Sequence, residues 1–191
     1  MTLGLFDMNK QHNKLLFALL LVVLACTMRL LKVYNLSPIA ATALFSGALF
    51  GRKYIAFIFP LVVQFLSDIL VNTYLYNMAN PFEYFFKWEA LFVYPCYIAI
   101  TLIGIWVGTN GKYTRIPMGA VASTALFFIV TNFGAWLAEP MYSKDLAGLT
   151  SSYIAALPFV KNSLLGDVVF SSFFFASFYL AQRFIPAKAK A

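Results

Sequence analysis

Six apolar stretches dominate this chain, at 15–31, 38–50, 54–71, 90–107, 116–138 and 163–184. A helix needs about 20 mainly apolar residues to cross the hydrocarbon core of a bilayer, and these stretches reach or approach that length. The second is short, the third contains Pro60 and the fourth Pro95. Prolines are tolerated inside spans and commonly mark kinks. The expected architecture is a single all-α membrane domain over 1–191, a six-transmembrane-helix bundle. Composition agrees: 62% of residues are hydrophobic and 11% charged, where a soluble domain carries about 25% charged residues.

The net charge of +7 would suggest a nucleic-acid partner in a soluble protein. Here the basic residues stand singly between apolar runs, and nothing resembles a nucleic-acid motif. They report topology instead, because cytoplasmic loops are enriched in Lys and Arg. With the N-terminus inside, the inner segments hold Lys10, Lys14, Arg52, Lys53, Lys112, Arg115, Arg183, Lys188 and Lys190. The outer ones hold Arg29, Lys32, Lys87, Lys144 and Lys161. The bias places both termini in the cytoplasm. Arg29 and Lys32, rather than a small-residue cleavage motif, follow the first run, so it reads as a retained helix and not a cleaved signal.

Catalytic and metal chemistry find little support. The chain has one histidine, His12, and two cysteines, Cys26 and Cys96, with no CxxC spacing. The cysteines read as small buried thiols. There is no Ser–His pair, HExxH motif or metal cluster, so neither a metal nor another cofactor is expected. Asp68 and Asp167 could pair as carboxylates, but no protease-like motif surrounds either.

Two connections are long. Residues 72–89 carry Tyr74, Tyr76, Tyr84, Phe85, Phe86 and Trp88, aromatics that favour the membrane interface. Residues 139–162 hold Leu146, Leu149, Tyr153, Ile154 and Leu157 at helical spacing. That pattern predicts a short amphipathic surface helix ending before Pro158. Asn162 or Ser163 would then cap the last span.

Ionisable and amide side chains within spans are costly and are functional candidates by default. Under this topology Arg29, Asp68, Glu89, Asn132, Trp136 and Asp167 all fall in the outer half of the membrane. Gln64, Asp68 and Asn72 share one helical face, as do Asn132, Trp136 and Glu139, and Ser163, Asp167 and Ser171. Such stripes should face the bundle interior and line an outward polar cavity, with Arg29, Asp68, Asn132, Trp136 and Asp167 converging on it. Tyr74, Tyr84 and Trp88 are expected as its roof. The competing reading is interhelical bonding, with Arg29 paired to Asp68 or Asp167. Ala43, Gly47 and Gly51 form a small-residue face on the second stretch, suited to close packing within the chain or against a partner membrane protein.

The segment from Asn35 through Ser37-Pro38 to Ala41, the run Phe45-Ser46-Gly47-Ala48-Leu49-Phe50-Gly51, and Phe65-Leu66-Ser67-Asp68 resemble the substrate-binding S-components of energy-coupling factor transporters. The stretches Thr131-Asn132-Phe133-Gly134-Ala135-Trp136 and Ala147-Gly148-Leu149 through Pro158-Phe159 are similar to a poorly characterised bacterial family related to them. The resemblance implies a six-helix protein of the bacterial cytoplasmic membrane that binds a vitamin or related micronutrient, cobalamin among them, in an outward pocket roofed by three loops. It also implies a coupling membrane subunit driven by two ATPases. This chain has no GxxxxGK[ST] loop with which to hydrolyse ATP itself.

The function expected is therefore small-solute binding for uptake, with Arg29, Gln64, Asp68, Asn72, Tyr74, Tyr84, Trp88, Asn132, Trp136 and Asp167 as ligand contacts. Ala43, Gly47 and Gly51 would be the docking face. The alternatives are a membrane scaffold of the cell-shape type and an intramembrane enzyme.

Overall fold

A computed structural model describes residues 11–31, 36–109 and 114–184. Among these the chain is helical throughout, with no strand. The helices are α1 (Gln11–Leu30), α2 (Ile39–Phe50), α3 (Tyr54–Tyr74), α4 (Trp88–Gly108), α5 (Arg115–Ala138) and α6 (Leu146–Phe184), with a short 3-10 helix at Pro81–Phe86 between α3 and α4. Helices α3, α4, α5 and α6 are long and apolar enough to cross a membrane. The six expected spans are thus supported at four positions.

The second stretch is the informative departure. At 12 residues, α2 is about 18 Å long, well short of the ~30 Å hydrocarbon thickness. It forms the centre of the bundle, packed against α3, α4, α5 and α6. Ala43, Leu44, Phe45 and Ser46 are all buried. Phe45 meets Phe174, Phe175 and Phe178 of α6 edge-on, at centroid distances of 6.2, 5.1 and 5.5 Å. Leu44 joins Ile39, Val63, Ile100, Val107 and Ala120 in the main apolar core.

Close approach of α2 to α4 explains its small residues. A Cβ on Gly47 would collide with the Thr101 carbonyl oxygen and lie 3.0 Å from Gly104 Cα. A Cβ on Gly104 would collide with the Leu44 carbonyl oxygen, and one on Gly108 would lie 2.6 Å from that of Ala48. The glycine face of α2 therefore meets a matching Gly104-x-x-x-Gly108 face on α4, backbone to backbone. Ala43 and Gly47 are enclosed by this chain, which corrects their expected role in docking a partner. Gly51 does something else. It ends α2 at φ +64, with its N–H donating to the Gly47 carbonyl and open space around its Cα; the left-handed φ is what calls for glycine.

The expected break before Pro158 does not occur. Helix α6 runs unbroken through Pro158 for 39 residues. Neither Asn162 nor Ser163 caps it, since both lie within it. Its start is held by Asp145, whose Oδ1 accepts from the Gly148 N–H and the Ser143 hydroxyl, both at 2.8 Å. Proline lacks the N–H that would bond the carbonyl four residues earlier, and α6 continues through it with Ile154, Leu157 and Phe159 exposed on either side. Pro60 and Pro95 likewise lie inside continuous helices, α3 and α4.

Candidate functional site

At one end of the bundle a polar cluster interrupts the apolar packing. Arg29, in the last turn of α1, donates through Nη1 to Asp68 Oδ1 at 2.7 Å and to the Ser67 hydroxyl at 2.8 Å. Gln64, one turn before Asp68 on α3, donates through Nε2 to both carboxylate oxygens, at 2.8 and 2.9 Å. The Tyr94 hydroxyl of α4 donates to Oδ2 at 3.0 Å. Asp68 is 2% exposed, so its charge is compensated by Arg29 and its oxygens are occupied by donors from three helices. A buried charge requires this degree of pairing.

Beside this cluster lies a cavity of about 390 Å³. Arg29 and Gln64 line one part of it, and Asp167 and Ser163 of α6 with Thr124 of α5 line another. Leu36 and Ser37 enter from the link before α2, and Tyr76 and Tyr84 from the connection between α3 and α4. Asp167 is 5% exposed and accepts the Thr124 hydroxyl on Oδ2 at 2.6 Å. Gln64 Oε1 is buried with no hydrogen-bond partner. That follows from the Asp68 contact: the carboxylate holds the amide NH2, so the carbonyl oxygen turns the other way. Burial, with the nearby Asp68 charge, pushes the Tyr84 phenol up to about 12, so it stays a neutral hydroxyl at neutral pH.

The expected site residues separate into groups. Arg29, Gln64, Tyr84 and Asp167 line the cavity. Asp68 is behind the wall, orienting Arg29 and Gln64. Asn72 is buried near the end of α3, where its Nδ2 has no partner and its carbonyl accepts the Met78 N–H at 2.9 Å. Tyr74 and Trp88 are 68% and 64% exposed and do not roof the cavity; Tyr76 and Tyr84 occupy that place. Asn132 lines a second recess of about 350 Å³ between α5 and α6, which shares Thr124, Phe127 and Ser163 with the first. Its side chain donates to the Phe128 carbonyl at 2.7 Å. Trp136 lines neither recess and donates through Nε1 to the Ser143 carbonyl at 2.8 Å. Convergence thus holds for Arg29 and Asp167 and fails for Asn132 and Trp136.

Sequence reasoning missed Tyr94 and Tyr97. Both lie in an apolar run and read as ordinary core aromatics, yet Tyr94 bonds Asp68 and the buried Tyr97 lines the cavity. The available signal was spacing: Tyr94 and Tyr97, three residues apart, put two hydroxyl-bearing rings in the half of the fourth stretch nearer Glu89. Of the two cysteines, Cys26 and Cys96 are both free and buried. Among the described residues no group of three or more His, Cys, Asp or Glu side chains could hold a metal ion.

Long apolar helices around a central short one, with a charged and amide-lined cavity at one end, define a helical membrane protein with an internal polar recess. The chain belongs to DUF6580, a family of unknown function, whose model matches residues 9–188. No curated protein and no solved structure matches it.

Proposed function

We propose that this chain is a substrate-binding membrane protein that captures a small solute, such as a vitamin or related micronutrient, for uptake into a bacterial cell. The observation that carries the reading is the 390 Å³ cavity, walled by Arg29, Gln64 and Asp167 inside an otherwise apolar bundle. Polar groups at membrane depth mark substrate pathways more often than packing needs. A pocket with apolar and aromatic walls and a few placed polar groups is the usual form of a small-molecule site. The volume stands at the small end of the ~300–1,000 Å³ range of such sites, which favours a compact solute over a corrinoid as large as cobalamin.

The cavity faces the bundle end that carries the α3–α4 connection. The distribution of Lys and Arg assigns that end to the outside of the cytoplasmic membrane, with both termini within. The S-component resemblance adds a coupling subunit with two ATPases. Since Ala43 and Gly47 are enclosed by α4, such a subunit would dock on an outer face of the bundle. Binding, not catalysis, is the role assigned to the site.

Mass spectrometry of small molecules extracted from detergent-purified protein tests this reading. A single enriched solute that raises the Tm on re-addition, and is lost in a Gln64→Met variant, is the expected result. Absence of any enriched solute, with a variant indistinguishable from wild type in every solute tested, would favour a scaffold.

A further inference from the structure

We infer that the cavity selects its ligand through a cationic nitrogen group bearing N–H donors, such as a protonated amine or amidine, with Asp167 as its acceptor. This rests on the binding reading above and names the chemistry of its ligand.

The polar groups of the cavity are not balanced. Among the described residues, Arg29 and Asp167 are the charged ones in its lining. Arg29 is already neutralised by Asp68 at 2.7 Å, so the pair presents little net charge to a ligand. Among the described residues Asp167 has no cation bonded to it; its hydrogen bond comes from the neutral Thr124 hydroxyl, on Oδ2 alone. A carboxylate in a low-dielectric site stays ionised only with a counter-charge. Gln64 is also in the wall, but its amide NH2 is held by Asp68 and its Oε1 is itself buried. The acceptor that the cavity presents is therefore the Asp167 carboxylate, with no cation bonded to it among the described residues.

The remaining wall suits the same ligand. Tyr76, Tyr84, Tyr97 and Phe127 contribute aromatic surface, and desolvated cations are attracted to such rings. A purely anionic ligand would meet Asp167 without a compensating free cation. A cationic N–H group supplies that compensation.

Benzamidine, benzoate and benzyl alcohol, matched in ring and size, test the assignment on the full-length protein in detergent. Benzamidine should bind saturably and raise the Tm, while benzoate and benzyl alcohol leave it unchanged. Asp167→Asn keeps the side-chain size and an acceptor for Thr124, and should weaken benzamidine roughly tenfold or more through loss of a charge-assisted bond. Asp167→Glu, which keeps the charge, should retain binding. Stabilisation by benzoate, unchanged benzamidine affinity in Asp167→Asn, or no binding of benzamidine at all would each overturn the cation assignment. The co-purified solute separates the two levels. An anionic solute bound in the same cavity would refute the cation assignment and leave the uptake reading standing, whereas the absence of any solute bears on uptake itself.

Discussion

Asp68 shows how one residue changes meaning once its neighbours are known. An isolated aspartate near the end of a span reads as a ligand contact. With Arg29, Gln64 and Tyr94 on its oxygens, it is a positioning residue that holds the cavity wall. Asp68→Asn should therefore lower stability by about 3 kcal/mol, because it strands a partly buried guanidinium. The Tm should fall to the same extent with and without bound solute. Loss of affinity at unchanged Tm would instead make Asp68 a direct contact. Asp167, whose hydrogen bond comes from a single neutral hydroxyl, should behave the other way, with affinity more sensitive than Tm.

At the scale of elements, the α2–α4 seam and the start of α6 make separate predictions. Gly47 faces backbone in α4, with nothing flexible to give way. Gly47→Ala should cost about 1–3 kcal/mol by overpacking, and Gly47→Leu should abolish folded protein in detergent. Gly51→Ala meets open space, so its cost is that of its positive-φ backbone alone, about 1–3 kcal/mol. An unfolding midpoint unchanged in Gly47→Ala would show that the seam is looser than this geometry. Asp145 caps α6, and the Gly148 N–H and Ser143 hydroxyl hold its carboxyl below the ordinary value of 3.8. A depressed folded pKa means the cap is fully effective above that value and is lost as pH falls through the lower folded one. The protection factor of the Gly148 amide, its exchange rate corrected for the intrinsic pH dependence, should fall in acid and in Asp145→Ala, with mid-helix protection unchanged.

On the scale of the whole molecule, the bilayer is the solvent that the outer surface must match. Exposed apolar side chains such as Val62 and Leu66 on α3, Ile98 and Leu102 on α4, Ile129 on α5 and Val169 on α6 form an outer surface that water would penalise and lipid would not. Helix α6, at 39 residues about 58 Å long, exceeds the hydrocarbon thickness almost twofold. Part of it must extend beyond the core or follow its surface. If the outward assignment of the cavity holds, a reporter fused at residue 191 will be cytoplasmic and a tag beside Lys144 will be accessible from outside. A cytoplasmic Lys144 tag would invert the cavity and remove solute capture from outside.

Hydropathy along the chain determined what is local: helical class, a membrane environment, and the positions of α3, α4 and α5 within a few residues. These follow from the cost of leaving backbone groups unsatisfied in lipid, which any apolar run of sufficient length must meet by forming a helix. The placement of Arg29 and Asp68 at one level was also legible, since buried charges must find each other. Three things were decided only in the folded molecule. Helix α2 became the enclosed centre because Gly47 and Gly104 let two backbones approach, and hydropathy does not distinguish a lipid-facing run from one buried in protein. Helix α6 ran on through Pro158, where a proline in the sequence reads equally as an end or as a kink within a span. Gln64 and Asp167 came to face one cavity while Asn132 and Trp136 did not. Helical spacing groups residues on one face, but only the rotation of each helix against its neighbours decides where that face points.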